Sequence, residues 1–297
     1  MVSDVRSRDR QESSANDSRD RGQIILIGAI TLAFIVLGIV VVFNGILYTE
    51  ALSSGSSSQS ELDTNTIEYE LGAGVGGLAH QGNLEWSAEN RSDYESDMTA
   101  ATEGFDETYL NSKANSRPET ARIEFIEVDE DATVVRDKSI DPLEIDIDNQ
   151  IGHLEYKLES GGEDGELEIE VESGGNSENL IFVESNGAFE VDYEGNTCAI
   201  DHDEPRVDLV TGDVLVPTDN DCDVSLIDPT TEYDTIAVDN ANGNISGTYD
   251  LVTKGEEDLG LADEHHGAWS VEVRITYESH DVSYGQTKTV DIYEERQ

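Results

Sequence analysis

Three hydrophobic rhythms follow one another along the chain. The first is unbroken. Ile24 to Phe43 reads IILIGAITLAFIVLGIVVVF, with Thr31 its one overtly polar residue. Helical residues rise about 1.5 Å each, so the run matches the roughly 30 Å hydrocarbon core of a bilayer. A soluble helix of this length keeps a polar stripe, and none is visible here. The pattern predicts one transmembrane helix over 23–48. Gly28 and Gly38 are tolerated in lipid, and Tyr48 sits where an interfacial aromatic belongs.

The second rhythm is helical. After a flexible SSGSSSQS stretch (Ser53–Ser60), Asp63 and Thr64 are cap candidates for a helix beginning near Thr66. Tyr94, Met98, Ala101, Phe105 and Tyr109 are spaced by four, three, four and four, which makes one packing stripe. From Ile123 the period falls to two. Leu143-Glu-Ile145-Asp-Ile147, Leu154-Glu-Tyr156-Lys-Leu158, Leu167-Glu-Ile169-Glu-Val171 and Phe189-Glu-Val191-Asp-Tyr193 alternate cleanly. Trp269-Ser-Val271-Glu-Val273-Arg-Ile275-Thr-Tyr277 is the longest such run. Each run buries one face of a strand and wets the other. Turn signals such as SGGEDGE, ESGGNSEN and DNANGN separate the runs, and Thr211-Gly212 reads as a hairpin tip. The expected fold is α+β, with a single N-terminal transmembrane helix, a small helical neck and an antiparallel β-sandwich-like C-terminal domain. Its segments are a cytoplasmic polar N-terminus (1–22), the membrane helix (23–48), a helical juxtamembrane neck (49–118) and an extracellular acidic domain (119–297).

Charge gives this layout a direction. The 297 residues carry 66 Asp and Glu against 17 Lys and Arg, a net charge of -49. Within 1–22, five arginines (Arg6, Arg8, Arg10, Arg19, Arg21) cancel five acids, so the whole imbalance lies beyond the apolar segment. Orientation follows Lys and Arg. Arg91 is the first base after the segment, so the N-terminus is expected in the cytoplasm and the acidic bulk outside. A basic nucleic-acid-binding face is excluded, because counterion release needs cationic side chains. The acids are spread along the strands and lysine is scarce, a combination resembling the surface of a halophilic archaeal protein. Self-repulsion of this size weakens the compact state in dilute buffer and is screened in concentrated salt.

The junction before the apolar run resembles the cleavage region of archaeal class III (prepilin) signal peptides. Asp20-Arg21-Gly22-Gln23-Ile24 places a charged residue and then Gly before the helix. The resemblance implies a cut between Gly22 and Gln23 with the hydrophobic helix retained. Ile27 stands at the fifth mature position, where many bacterial type IV pilins have glutamate. An uncleaved anchor is the alternative. A long N-terminal helix carrying a β head is also similar to pilin and pseudopilin layout.

Candidate chemistry is sparse. Cys198 and Cys222 lie on the exterior side, where pairing is favoured, and the intervening hairpin returns the chain on itself, so they are expected to form a disulfide. Gly72-Ala-Gly74-Val-Gly76-Gly77 matches GxGxxG but lacks a preceding strand, so it reads as a close-packed helix segment. Asp219-Asn-Asp221-Cys-Asp223 has calcium-loop spacing without the glycine or the final glutamate. Glu264-His265-His266 holds ligand-type residues, but adjacent histidines in a strand face opposite ways. No catalytic constellation, metal site or cofactor is expected. Asn90-Arg-Ser92 and Asn244-Ile-Ser246 are exterior glycosylation sequons.

Arg21-Gly22-Gln23, Ile46-Leu-Tyr48-Thr-Glu50, Glu68-Tyr69 and Gly74-Val-Gly76-Gly77-Leu78 together resemble a family of uncharacterised haloarchaeal single-pass membrane proteins. Cys198 and Cys222, Gly247-Thr-Tyr249 and Val271-Glu-Val273 are similar to it as well. The resemblance covers most of the chain and brings no activity or catalytic residue with it. The sequence therefore points to a non-enzymatic structural or interaction protein on the surface of a halophilic archaeon, compatible with a pilin-like role. Its expected partners are the lipid bilayer and other pilin-like or cell-surface subunits. The alternative is an extracellular ligand- or partner-binding β module on a plain anchor.

Overall fold

The computed structural model describes residues 65–113, 120–161, 163–185, 187–193, 195–200, 204–214, 224–240, 244–256, 258–261, 263–278 and 283–293. The apolar run at 24–43, the Gly22–Gln23 junction, Cys222 and the Asp219–Asp223 loop lie outside these residues. Among the described residues no helix is long and apolar enough to cross a membrane. Asn65–Gln297 forms one unit and is α+β.

Among the described residues, two helices come first. Helix α1 covers 65–85 and α2 covers Arg91–Lys113. The helical stretch breaks between them because Asn90 caps α2. Its Oδ1 accepts from the Asp93 amide at 3.1 Å, and its Nδ2 donates to the Asp93 carboxylate at 2.8 Å, a reciprocal box. The stripe expected from the sequence faces inward: Tyr94 and Met98 are fully buried, and Phe105 and Tyr109 pack against the same core. The glycines of the GxGxxG match lie inside α1. A Cβ on Gly74 would stand 2.3 Å from the Phe105 ring, so the match marks helix-on-helix packing.

Eleven strands follow among the described residues. They are β1 (Thr120–Ser139), β2 (Leu143–Glu159), β3 (Gly165–Ser173), β4 (Asn176–Ser185), β5 (Ala188–Tyr193) and β6 (Asn196–Ile200). Then come β7 (Arg206–Asp208), β8 (Glu232–Asp239), β9 (Ser246–Lys254), β10 (Glu264–Glu278) and β11 (Ser283–Asp291). All pairings are antiparallel, in the order β11-β10-β1-β9-β2-β8-β3-β4-β5-β6, with β7 beside β2. Strand β2 is the pivot. Its first half pairs with β8; its second half pairs with β9 on one edge and β7 on the other. Asp148, with φ of 49°, marks the irregularity between the halves.

Two cores result. Leu71, Val75, Tyr94 and Met98 of the helices pack on Ile123, Val134, Val271 and Val273 of β1 and β10. On the other side, Leu154, Tyr156 and Leu251 meet Leu167, Phe182, Phe189 and Ile236. Consecutive residues serve opposite cores: Val134 and Val252 belong to the first, Val135 and Leu251 to the second. The middle of β1 and β9 is therefore covered on both faces. The Thr211–Gly212 tip is a turn after the three-residue β7, and its return makes one bridge, Val207 to Val214.

Candidate functional site

Two polar clusters sit where the helices meet the sheet. The first is a row of acids crossing three strands. Asp250 of β9 lies opposite Glu155 of β2, which lies opposite Asp208 of β7. All three are buried. Like charges side by side in a sheet repel, so each carries its own base. Lys157 Nζ stands 2.7 Å from Asp250, Arg206 3.7 Å from Glu155, and His153 Nδ1 3.6 Å from Asp208. Burial by itself raises the Asp208 carboxyl. His153 and the amides of Val210 and Thr211 outweigh it and hold Asp208 below the ordinary carboxylate range. Above the row, His80 of α1 meets His153 edge-on at 5.3 Å and faces the Tyr293 hydroxyl at 3.3 Å.

Next to it, Asn83 joins α1 to β10. Its Nδ2 donates to the Ala268 carbonyl at 2.7 Å, and its Oδ1 accepts the Ala268 amide at 3.0 Å. The second Nδ2 hydrogen goes to the Tyr293 hydroxyl at 2.8 Å. Strand β11 pairs with β10 only from Ser270 onward, so Asn83 and the Ala88 carbonyl, which accepts from His266 N, continue the edge that β11 leaves.

The second cluster gathers Asp131 of β1, Glu256 in the turn after β9, and His266 of β10. Each offers one ligand atom, and these lie within 4.8 Å of one another. Antiparallel pairing of Thr133 with His266 puts β1 and β10 in reach, and β9 brings the turn alongside. The turn is pinned: Gly255 N donates to the Asp131 carbonyl at 2.8 Å, and the Thr133 hydroxyl donates to the Gly255 carbonyl at 2.9 Å. Arg91 at the start of α2 contacts Asp131 at 3.3 Å and Glu95 at 3.0 Å, and donates to the Val128 carbonyl. His266 Nε2 is 3.1 Å from Asp131 Oδ1, and Nδ1 is 3.3 Å from Glu256 Oε1. The Nε2 contact is close but does not have hydrogen-bond geometry; that buried nitrogen has no hydrogen-bond partner.

Of the ligand-type residues singled out in the sequence, His266 belongs to the second cluster. Cys198 sits on β6 opposite Val191 and is disulfide-bonded; Cys222 lies outside the described residues. Asn90 is an exposed helix cap, and the Asn244 side chain donates to the Asp164 carbonyl at 2.8 Å. The sequence marked His266 as a ligand-type residue but did not connect it with Asp131 and Glu256, which lie elsewhere in the chain. The usable signal was the buried, uninterrupted stretch of β10 at His266–Val271, where alternation is lost. Comparison with models of known families, with curated proteins and with solved structures returned no match.

Proposed function

We propose that the chain is a membrane-anchored cell-surface protein of a halophilic archaeon with a structural or interaction role and no catalysis. One observation carries this reading: an uncharged 20-residue apolar run separates a neutral, arginine-bearing stub from a remainder that holds the entire net charge of -49. In this reading Ile24–Phe43 spans the bilayer once, the stub stays inside, and the sandwich-like antiparallel head stands outside. Supporting it, the outer positions of β3 are glutamates over a fully buried aliphatic face, a surface suited to concentrated salt. The bonded state of Cys198 fits an oxidising exterior, and Cys222 is its proposed partner.

Its specific form is a pilin-like subunit cut between Gly22 and Gln23, with its retained helix packing into lipid or into neighbouring subunits. Mass spectrometry of the mature N-terminus tests this form. A chain beginning at Gln23 supports it; an intact Met1, or a start beyond Leu47, argues for a plain anchor or a cleaved signal. A second reading, an extracellular binding module, is favoured by a 540 Å³ cleft beside the β3–β4 turn lined by Val171, Glu178, Val210, Leu226 and Tyr233. Ligand-dependent thermal stabilisation that is lost on filling the cleft would favour it over the first.

A further inference from the structure

Asp131 is held from two sides, by the Arg91 guanidinium on its carboxylate and by the Gly255 amide on its backbone. His266 is 8 % exposed, and its Nε2 has no hydrogen-bond partner although Asp131 Oδ1 is 3.1 Å away. A protonated imidazole paired with that carboxylate would aim its N–H along the contact. An off-axis separation of this size is instead what two atoms show when both ligate one small cation. Ligands about 2.0–2.1 Å from a metal, at octahedral or tetrahedral angles, lie about 2.8–3.4 Å apart.

We propose that Asp131, Glu256 and His266 form a site for one divalent first-row transition-metal ion of the zinc class. The ion is bound by His266 Nε2 and Asp131 Oδ1; the Glu256 carboxylate, which stands 3.3 Å from Nδ1, swings across to supply the third ligand, and water completes the shell. One imidazole with two carboxylates suits such an ion, whereas calcium takes an all-oxygen shell. Charge agrees. Beside Arg91, the two carboxylates leave the group anionic when His266 is neutral, inside a strongly acidic protein that concentrates cations. Glu256, with its side chain 67 % exposed, is the mobile ligand that closes over the ion. The ligands come from β1, the turn after β9 and β10, with Arg91 of α2 beside them, so metal there would pin that turn to the sheet.

The test uses the full-length protein in molar KCl, stripped with a chelator and titrated with Co²⁺ as a coloured probe and with Zn²⁺. The proposal expects visible Co²⁺ absorption saturating at one equivalent, its displacement by Zn²⁺, and a higher thermal midpoint with Zn²⁺. Equal Ca²⁺ should not displace the Co²⁺. Glu256→Gln changes an exposed side chain and should fold as the parent does, with affinity at least tenfold weaker; His266→Gln should lose the absorption. Absorption that never saturates, or a Glu256→Gln protein that binds as tightly as the parent, overturns the proposal. Such a result would leave His266 as part of an ion-pair cluster and assign the bound cobalt to surface carboxylates.

Discussion

Single side chains hold the helical layer to the sheet, and Asn83 does so with all its donors and its acceptor in use. Replacing it by Ala leaves the Ala268 amide and carbonyl and the Tyr293 hydroxyl without it in a buried place. An unsatisfied buried group costs about 1–3 kcal/mol. Asn83→Ala should therefore lower the denaturant midpoint in high salt by the equivalent of at least about 2 kcal/mol. A neutral result would show that the helix is not fastened there. Gly152 works by absence. A Cβ at this position would stand 2.4 Å from the Tyr293 ring and 2.8 Å from Trp269, both fully buried and packed 5.0 Å apart. Gly152→Ala should cost about 1–3 kcal/mol by overpacking, measured by the same unfolding curve. Asp208 gives a pH signature. Because its folded carboxyl lies below its ordinary value, its stabilising contribution is complete above about pH 4 and is lost as pH falls through the folded value. Asp208→Asn should flatten the stability-against-pH curve below about pH 4; an unchanged acid limb would contradict the His153 pairing.

Elements show which physics a sequence displays. Strands with one wet face announce themselves: β3 and β5 alternate in the chain and alternate in burial. Strand β9 does not, because Tyr249 to Thr253 are buried in succession between the two cores. Strand β1 loses its rhythm at Val134 and Val135 for the same reason, and its bulges shift the register. Strand β11 is mostly exposed and polar, so no apolar period marks it. The α2 stripe was legible through Tyr94 and Met98, but the break before it was not; it depends on one capping asparagine. Asn90→Ala should cost about 1 kcal/mol, read as weaker amide protection in the first turn of α2. The Asp131–Glu256–His266 group was out of reach of periodicity altogether. Only the β1–β9–β10 pairing brings those residues together, and the neighbouring His265 and His266 pair in register with Val134 and Thr133.

At the scale of the molecule, charge governs conditions. The β3 row Glu166, Glu168, Glu170 and Glu172 lies over buried apolar residues, and Glu127 of β1 stands directly opposite Glu272 of β10. The screening length falls from about 10 Å at 0.1 M salt to about 3 Å at 1 M. The thermal midpoint should rise steeply over that range, and Glu166→Gln with Glu170→Gln should shift the curve to lower salt. A midpoint indifferent to KCl would contradict the proposed halophilic surface. The same asymmetry of charge underlies the proposed anchored, outward-facing orientation. Its most direct test adds a salt-tolerant protease to intact cells carrying a tag after residue 293, with an unrelated cytoplasmic protein as the control. Loss of the tag with survival of the cytoplasmic control is the result expected. Protection of the tag until the cells are opened would place the acidic head inside and contradict the account.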